Sequence, residues 1–387
     1  MERPAAGLGV AGLLGARRIA ITDDGGGIAA ALAARFAGVN ARAEVVDDVP
    51  VDADAVIFLG GLSAARDPPA ALAVLRAAFR AARTVAGRFA ASGGVLITAQ
   101  DTGGDFGLSG SQGAWLGGLA GLAKTCALEW PRAQVRALDV ERGDRPAAAI
   151  AEAIWCELLD GDDDREVGLR SDGRRVVPAL HDAPLPRGGN PRIAPGGVVI
   201  ASGGGRGVTA ACLIALAEVT RARFVLLGRT VLADEPAVCR GVDGDAELKR
   251  ALLDDARRSG ERVTPAALGR RAAAVRAARE VRATIAAIRA AGGEARYDAA
   301  DITDDAAVAA AVRAARAWGP IAGVVHGAGV VADKWIADKT DAQLDLVIGT
   351  KVRGLAALLD ATRADDLGFV VLFSSVAGRF EIGRAHV

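Results

Sequence analysis

The 387 residues carry 47 Lys and Arg against 47 Asp and Glu, so the formal net charge is zero, and 51% of the side chains are hydrophobic. That composition excludes a disordered chain, is long enough for about two domains, and gives no electrostatic reason to expect nucleic acid or an anionic membrane as partner. No apolar run reaches the ~18 residues of a membrane span and the N-terminus has no signal-peptide core, so a cytoplasmic protein is expected.

In chain order, Arg18–Phe36 reads strand, glycine turn, helix. Asp23 and Asp24 stand in that turn where a phosphate would have to sit, and two carboxylates would repel it. Strands at Ala55–Leu59, Val95–Ala99 and Val135–Val140 alternate with alanine-rich amphipathic helices at Ala70–Phe89 and Trp115–Glu129. Glu166–Arg170 and Arg175–Val177, joined around Ser171-Asp172-Gly173, read as a closing hairpin. Residues 1–185 are thus expected to form a doubly wound α/β unit without a ligand. Four prolines and a Gly-Gly-Asn between His181 and Pro195 place the domain boundary there.

The second unit opens on a strand, Val198–Ala201, followed by the turn Ser202-Gly203-Gly204-Gly205-Arg206-Gly207 and a helix, Val208–Val219. Glycines let the backbone approach a ligand closely, and the helix aims its free N–H groups at the same point, which suits a pyrophosphate. The next strand, Arg223–Leu227, ends in Gly228-Arg229. An acid there would take ribose hydroxyls, whereas an arginine accommodates a 2′-phosphate, so NADP(H) is expected.

A long helical insertion follows, about 233–291, with helices at Glu247–Arg258 and Pro265–Arg289 and Thr264-Pro265 as cap and first turn. Its arginines, interleaved with Asp254, Asp255, Glu261 and Glu280, read as a solvated helix face. Glu294–Ala299 is a strand and Asp301–Asp304 its turn. Gly323–Gly329 is a strand running into small residues, Ala342–Ala361 a helix, and Phe369–Ser375 a strand with hydroxyls at its C-terminal end. Cys126, Cys156, Cys212 and Cys239 are widely spaced, the first three in apolar helical patterns that read as burial, and no metal site is expected.

These residues resemble the short-chain dehydrogenase/reductase superfamily, whose TGxxxGxG pattern appears as Ser202-Gly203-xxx-Gly207-Val208-Thr209. Within it, FVLLGRT (Phe224–Thr230), DITD (Asp301–Asp304), GVVHGAGV (Gly323–Val330), TKVRG (Thr350–Gly354) and LFSSVAG (Leu372–Gly378) are similar to the ketoreductase domain of type I polyketide synthases. The first half, with GLAGLAKTCALEWP (Gly118–Pro131), is similar to the cofactor-free structural subdomain of such ketoreductases. The insertion is closest to the polyunsaturated-fatty-acid-synthase type.

The resemblance implies two Rossmann-like units, the second binding NADPH. It also implies reduction of a β-ketoacyl thioester, carried on an acyl carrier protein, to a β-hydroxyacyl thioester inside a megasynthase whose other domains are partners. It assigns Ser375 and Lys351 to catalysis. Ser202, Gly203, Gly205, Arg206, Gly207, Val208, Arg229, Asp301, Ile302, Gly327, Ala328 and Gly329 go to the cofactor, and His326 to a structural role. In the first half Gln100 falls opposite Ser375 and Gly113 where the family's tyrosine would stand, which reads as a scaffold. The alternative is a catalytically dead NADP(H)-binding or structural module; a free-standing reductase fits the paired structural half poorly.

The family continues past LFSSVAGRF with a glycine-rich loop and YxxxN, whereas this chain ends in Glu381–Val387, the translation of a common sequencing adapter in one frame. The expectation is therefore a catalytic unit of 192–380, truncated after its fifth strand, with 381–387 an artefact. The catalytic tyrosine, thirteen residues after Ser375, would fall one residue past Val387. Loss of the helix bearing it would leave an apolar sheet face uncovered.

Overall fold

Short apolar runs separated by alanine-rich helical stretches build two mainly parallel sheets, whose central strands are covered by helices on both faces. The computed structural model describes residues 1–184, 193–376 and Gly378. The chain divides into a first unit, Met1–Leu185 with Val331–Ile348 and Ser374–Val387, and a second, Pro186–Val330 with Gly349–Phe373.

The first unit runs β1 (Ile19–Thr22), α1 (Ile28–Gly38), β2 (Ala43–Val46), β3 (Ala55–Gly61), α2 (Pro68–Ser92), β4 (Val95–Gln100), α3 (Gly118–Glu129), β5 (Gln134–Val140), α4 (Ala147–Asp160), β6 (Glu166–Leu169) and β7 (Arg175–Val176). Strand order is β2-β1-β3-β4-β5-β6-β7, parallel except for the β6–β7 hairpin. Successive residues of β3 point to opposite faces: Ile57 and Leu59 join Phe36, Ile154 and Leu158 under α1 and α4, while Val56 joins Phe79, Phe89 and Trp130 under α2 and α3. A buried ion cluster ties the hairpin to α4, with Arg175 forking onto both oxygens of Glu157 at 2.8 and 3.0 Å. β2 and α4 are elements the sequence reading did not include.

In the second unit come β8 (Val198–Ser202), α5 (Gly207–Thr220), β9 (Arg223–Gly228), α6 (Asp245–Arg258), α7 (Pro265–Ala290), β10 (Glu294–Ala299), α8 (Asp305–Arg316) and β11 (Ile321–His326). The chain then gives residues 331–348, including α9 (Asp341–Ile348), to the first unit. There Ile336 is buried in the core of Phe79 and Trp130, its N–H bonds Glu129 at 2.8 Å, and Asp345 and Asp341 pair with Arg76 and Arg80. It returns through a π turn, Gly349–Arg353, to α10 (Gly354–Ala361) and β12 (Phe369–Leu372).

The second sheet has the order β10-β9-β8-β11-β12, all parallel. Val198, Ile200, Val225 and Leu227 pack with α8 and α10, whereas Val199, Phe224 and Leu226 pack with Leu213 of α5 and Ile288 of α7. The order reverses between β8 and β11, the position where open α/β sheets bind ligands.

Cys156 and Cys212, expected to be buried, are exposed, because each lies on the outer face of its helix, and three expectations about the elements are adjusted. Residues 233–291 are not wholly an insertion: α6 and the start of α7 close a separate small core around Cys239, Leu248, Leu252, Leu268 and Ala272, but the end of α7 is the sheet's own crossover from β9 to β10. The helix expected over 342–361 is broken at the π turn, bracketed by Gly349 and Gly354. The last strand stops at Leu372 rather than Ser375, and Val370, Val371 and Leu372 of this edge strand are 43%, 42% and 51% exposed. Most of the expected linker and all of the adapter-like tail lie outside the described residues. No helix among the described residues is long and apolar enough to cross a membrane.

Candidate functional site

The site of the second unit grows from the turn between β8 and α5. Gly203 has φ +70°, and a Cβ there would come within 2.6 Å of the Ala328 nitrogen, so both conformation and space demand glycine. No side chain caps α5, whose first N–H groups therefore remain available to an anion.

Around the turn lies a cleft of about 920 Å³, open at the C-terminal ends of the strands. All the expected cofactor residues line it except Ser202 and Gly207. Ser202 is buried beneath it, and Gly207 is the first residue of α5. Arg206, Arg229 and Arg270 line the cleft as well, and Arg229 has no ion-pair partner within 4.0 Å among the described residues. Asp301 is held below the usual carboxylate range, first by the Thr303 N–H at 2.9 Å, then by the Thr303 hydroxyl, with Arg229 adding its charge.

Beneath the cleft a buried chain of hydrogen bonds connects three elements. The Ala328 N–H donates to Ser202 Oγ at 3.4 Å, and Ser202 Oγ meets His326 Nδ1 at 2.7 Å. His326 Nε2 lies 2.9 Å from the Lys351 carbonyl in the π turn. A carbonyl only accepts, so Nε2 carries the proton and Nδ1 accepts from the serine. Burial pushes the imidazole pKa down, which keeps this neutral tautomer.

Lys351 donates from Nζ to the Phe373 carbonyl at 3.1 Å, and its Cε lies 3.0 Å from where a Cβ would stand on Gly329. The lysine thus lies along the end of β11, and burial lowers its ammonium pKa. Ser375 is exposed, two residues beyond Phe373, in the segment that belongs to the first unit. Tyr297 of β10, the chain's only tyrosine, lines the cleft beside Gly228, and burial raises its phenol.

Sequence reasoning missed one wall of the cleft. Arg270, Ala273, Ala274, Ala277 and Val281 of α7 line it, at spacings of three, four, seven and eleven residues. That single helical stripe was the available signal, but alanines on every side of α7 concealed it.

The first unit's glycine turn has a different interior. Asp24 is 4% exposed and accepts the Gly26 N–H at 2.9 Å and the Ala29 N–H at 2.8 Å, so its own carboxylate occupies the start of α1. Gln100, opposite Ser375 in the sequence reading, is buried and bonds the Ala120 N–H and Thr102.

Residues 197–385 match the family model described as the KR domain. A polyunsaturated fatty acid synthase polypeptide of Thraustochytrium sp. is 36% identical over 277 residues, 68% of this chain and 10% of that protein. Polyketide synthase ThaG of Burkholderia thailandensis is 31% identical over 375 residues, 94% of this chain and 5% of that protein. Among solved structures, an A1-type ketoreductase superposes with a TM-score of 0.67 at 21% identity, covering 99% of this chain and 74% of that one. A ketoreductase domain from the bacillaene assembly line gives 0.61 at 17%, covering 94% and 70%.

Proposed function

The chain belongs to the ketoreductase domain family of polyketide and polyunsaturated-fatty-acid synthases, and we propose that it serves the NADPH-dependent reduction of a β-ketoacyl thioester on an acyl carrier protein. It spans a tenth or less of the length of those two curated relatives, so the carrier protein and neighbouring catalytic domains are partners under the same proposal. The observation that supports it is the cleft over an uncapped helix start, with Arg229 free to meet a 2′-phosphate and Lys351 laid along the end of β11.

When bound, the nicotinamide supplies a hydride. Gly203 and the α5 N–H groups would hold the pyrophosphate, and Arg229 would hold the 2′-phosphate. Ser375 Oγ donates to the ketone oxygen, and the Lys351 ammonium favours ionisation of a neighbouring phenol. By the family's spacing that phenol lies thirteen residues after Ser375, beyond these residues, and Tyr297 sits on the Gly228 wall instead. The 387 residues alone are therefore expected not to reduce ketones.

The decisive measurement is NADPH oxidation with a β-ketoacyl thioester, made on this chain and on one continued past Phe380 by a related ketoreductase's glycine loop and YxxxN helix. General acid catalysis contributes roughly 10²–10⁴-fold, so turnover is expected only in the second. Comparable turnover in both would refute the tyrosine assignment. A continued chain that folds and binds NADPH yet stays inactive would favour a catalytically dead, cofactor-binding module.

A further inference from the structure

The arginines of the α6–α7 region are mostly spent on neighbours. Arg257 and Arg258 pair with Asp254 and Asp255, Arg271 with Glu261, Arg276 with Asp245, and Arg279 with Glu235. Arg206, at the glycine turn, pairs with Glu280 at 3.4 Å. Arg270 is different: it is exposed, lines the cleft, and has no ion-pair partner within 4.0 Å among the described residues.

α7 is also fastened to the turn it faces. The buried Thr284 hydroxyl donates to the Gly205 carbonyl at 2.9 Å, and a Cβ on Gly205 would come within 2.9 Å of Val281. Between that anchor and Arg270 the cleft-facing residues are Ala273, Ala274 and Ala277, which leave room for a flat ligand along the helix. Anchor and arginine share one rigid element, so Arg270 holds a fixed height above the turn. The same cleft is lined by Arg229 and Thr230 at the end of β9.

We propose, on the NADP(H) reading above, that Arg270 is a second cation for the 2′-phosphate, reaching it from α7 while Arg229 reaches it from β9. A dianionic phosphate has three acceptor oxygens and can take two guanidinium groups from opposite sides. The α6–α7 region then makes part of the cofactor's specificity as well as a packed appendage.

The test is titration of the full 387-residue chain with NADPH, NADH and adenosine 2′,5′-bisphosphate, for the parent, Arg270→Ala, Arg270→Lys and Arg229→Ala. Arg270 is solvent-exposed, and an unchanged thermal midpoint checks that each variant folds. Loss of one charge-assisted contact is expected to weaken NADPH and the bisphosphate about 10-fold in Arg270→Ala, leave NADH within about 2-fold, and be largely restored in Arg270→Lys. If Arg229→Ala discriminates between the cofactors and Arg270→Ala does not, the role of Arg270 is overturned while the NADP(H) reading stands. Equal weakening of NADPH and NADH by Arg270→Ala overturns it too, since the residue then serves the shared part of the ligand. Indifference of both alanine variants removes the NADP(H) reading and this assignment with it.

Discussion

Two glycine turns in this chain join a buried parallel strand to a helix, and they differ in what lies over the helix start. In the first, Asp24 folds back and accepts two of the backbone N–H groups. In the second no side chain caps α5, and the turn faces a cleft of about 920 Å³. The same contrast recurs along the sheets: Gln100 at the end of β4 is locked to α3 through Ala120, while the end of β11 carries only Gly327, Ala328 and Gly329 beside Lys351. One architecture thus gives a filled turn or an open cleft, according to whether a side chain of the turn bonds the N–H groups at the helix start or leaves them bare.

The largest effect should come from the scaffold's interior. Glu157→Ala would leave Arg175 and Arg136 buried without their shared carboxylate, and removing one partner of a buried pair costs about 3–5 kcal/mol. Urea unfolding should show that loss; a change below about 1 kcal/mol would mean the cluster is solvated. Next come the turns themselves. Gly25 and Gly203 both have φ +70°, but a Cβ at Gly25 meets nothing within 4 Å whereas one at Gly203 meets backbone. Gly25→Ala should cost about 1–2 kcal/mol of strain, and Gly203→Ala about 3 kcal/mol or more together with nucleotide binding. Equal costs would erase the distinction between the turns.

Asp24→Ala removes a helix cap, with an expected loss of about 1 kcal/mol. The parent chain should bind at most one NADPH; calorimetric titration giving two would break the comparison outright. The Arg229→Ala variant should lose NADPH affinity about 10- to 100-fold and keep its NADH affinity, since a hydrogen bond to a charged group is worth roughly 1.5–3 kcal/mol. The smallest effect is pH-dependent. Burial depresses the folded-state pKa of His326, so its contribution to stability is fully present above the unfolded imidazole value and is lost as pH falls toward the folded one. The urea midpoint of the parent should therefore drop more on acidification below about pH 6.5 than that of His326→Asn. Parallel curves would show that His326 protonates without consequence.

The central strands of both sheets were legible because each is a short apolar run, and the β6–β7 hairpin because its turn chemistry is local. β2 was not, since its residues are half-exposed and carry no clean alternation. The break at Gly349–Arg353 hid inside an apolar, helix-compatible pattern, where two glycines looked tolerable. Asp24 was recognised as hostile to a phosphate, but its capping bonds to Gly26 and Ala29 depend on a rotamer that no spacing reveals. The lining of the cleft was legible where backbone conformation dictated residue type, at Gly203, and where a charge ended a strand, at Arg229. The α7 wall depends on how a long helix lies across a sheet, which is tertiary information.

The excursion of residues 331–348 into the first unit also has a consequence in time. A ribosome adds roughly 5–20 residues per second, so the segment carrying Ile336 emerges some tens of seconds at most after the first sheet is complete. Throughout that interval the pocket around Phe79 and Trp130 lacks its last side chain, and Arg76 and Arg80 lack their carboxylates. The nascent first unit therefore waits, partly open, for a strip of sequence that is translated only after β8 to β11. Maturation of the half that comes first is thereby tied to synthesis of the half that comes second.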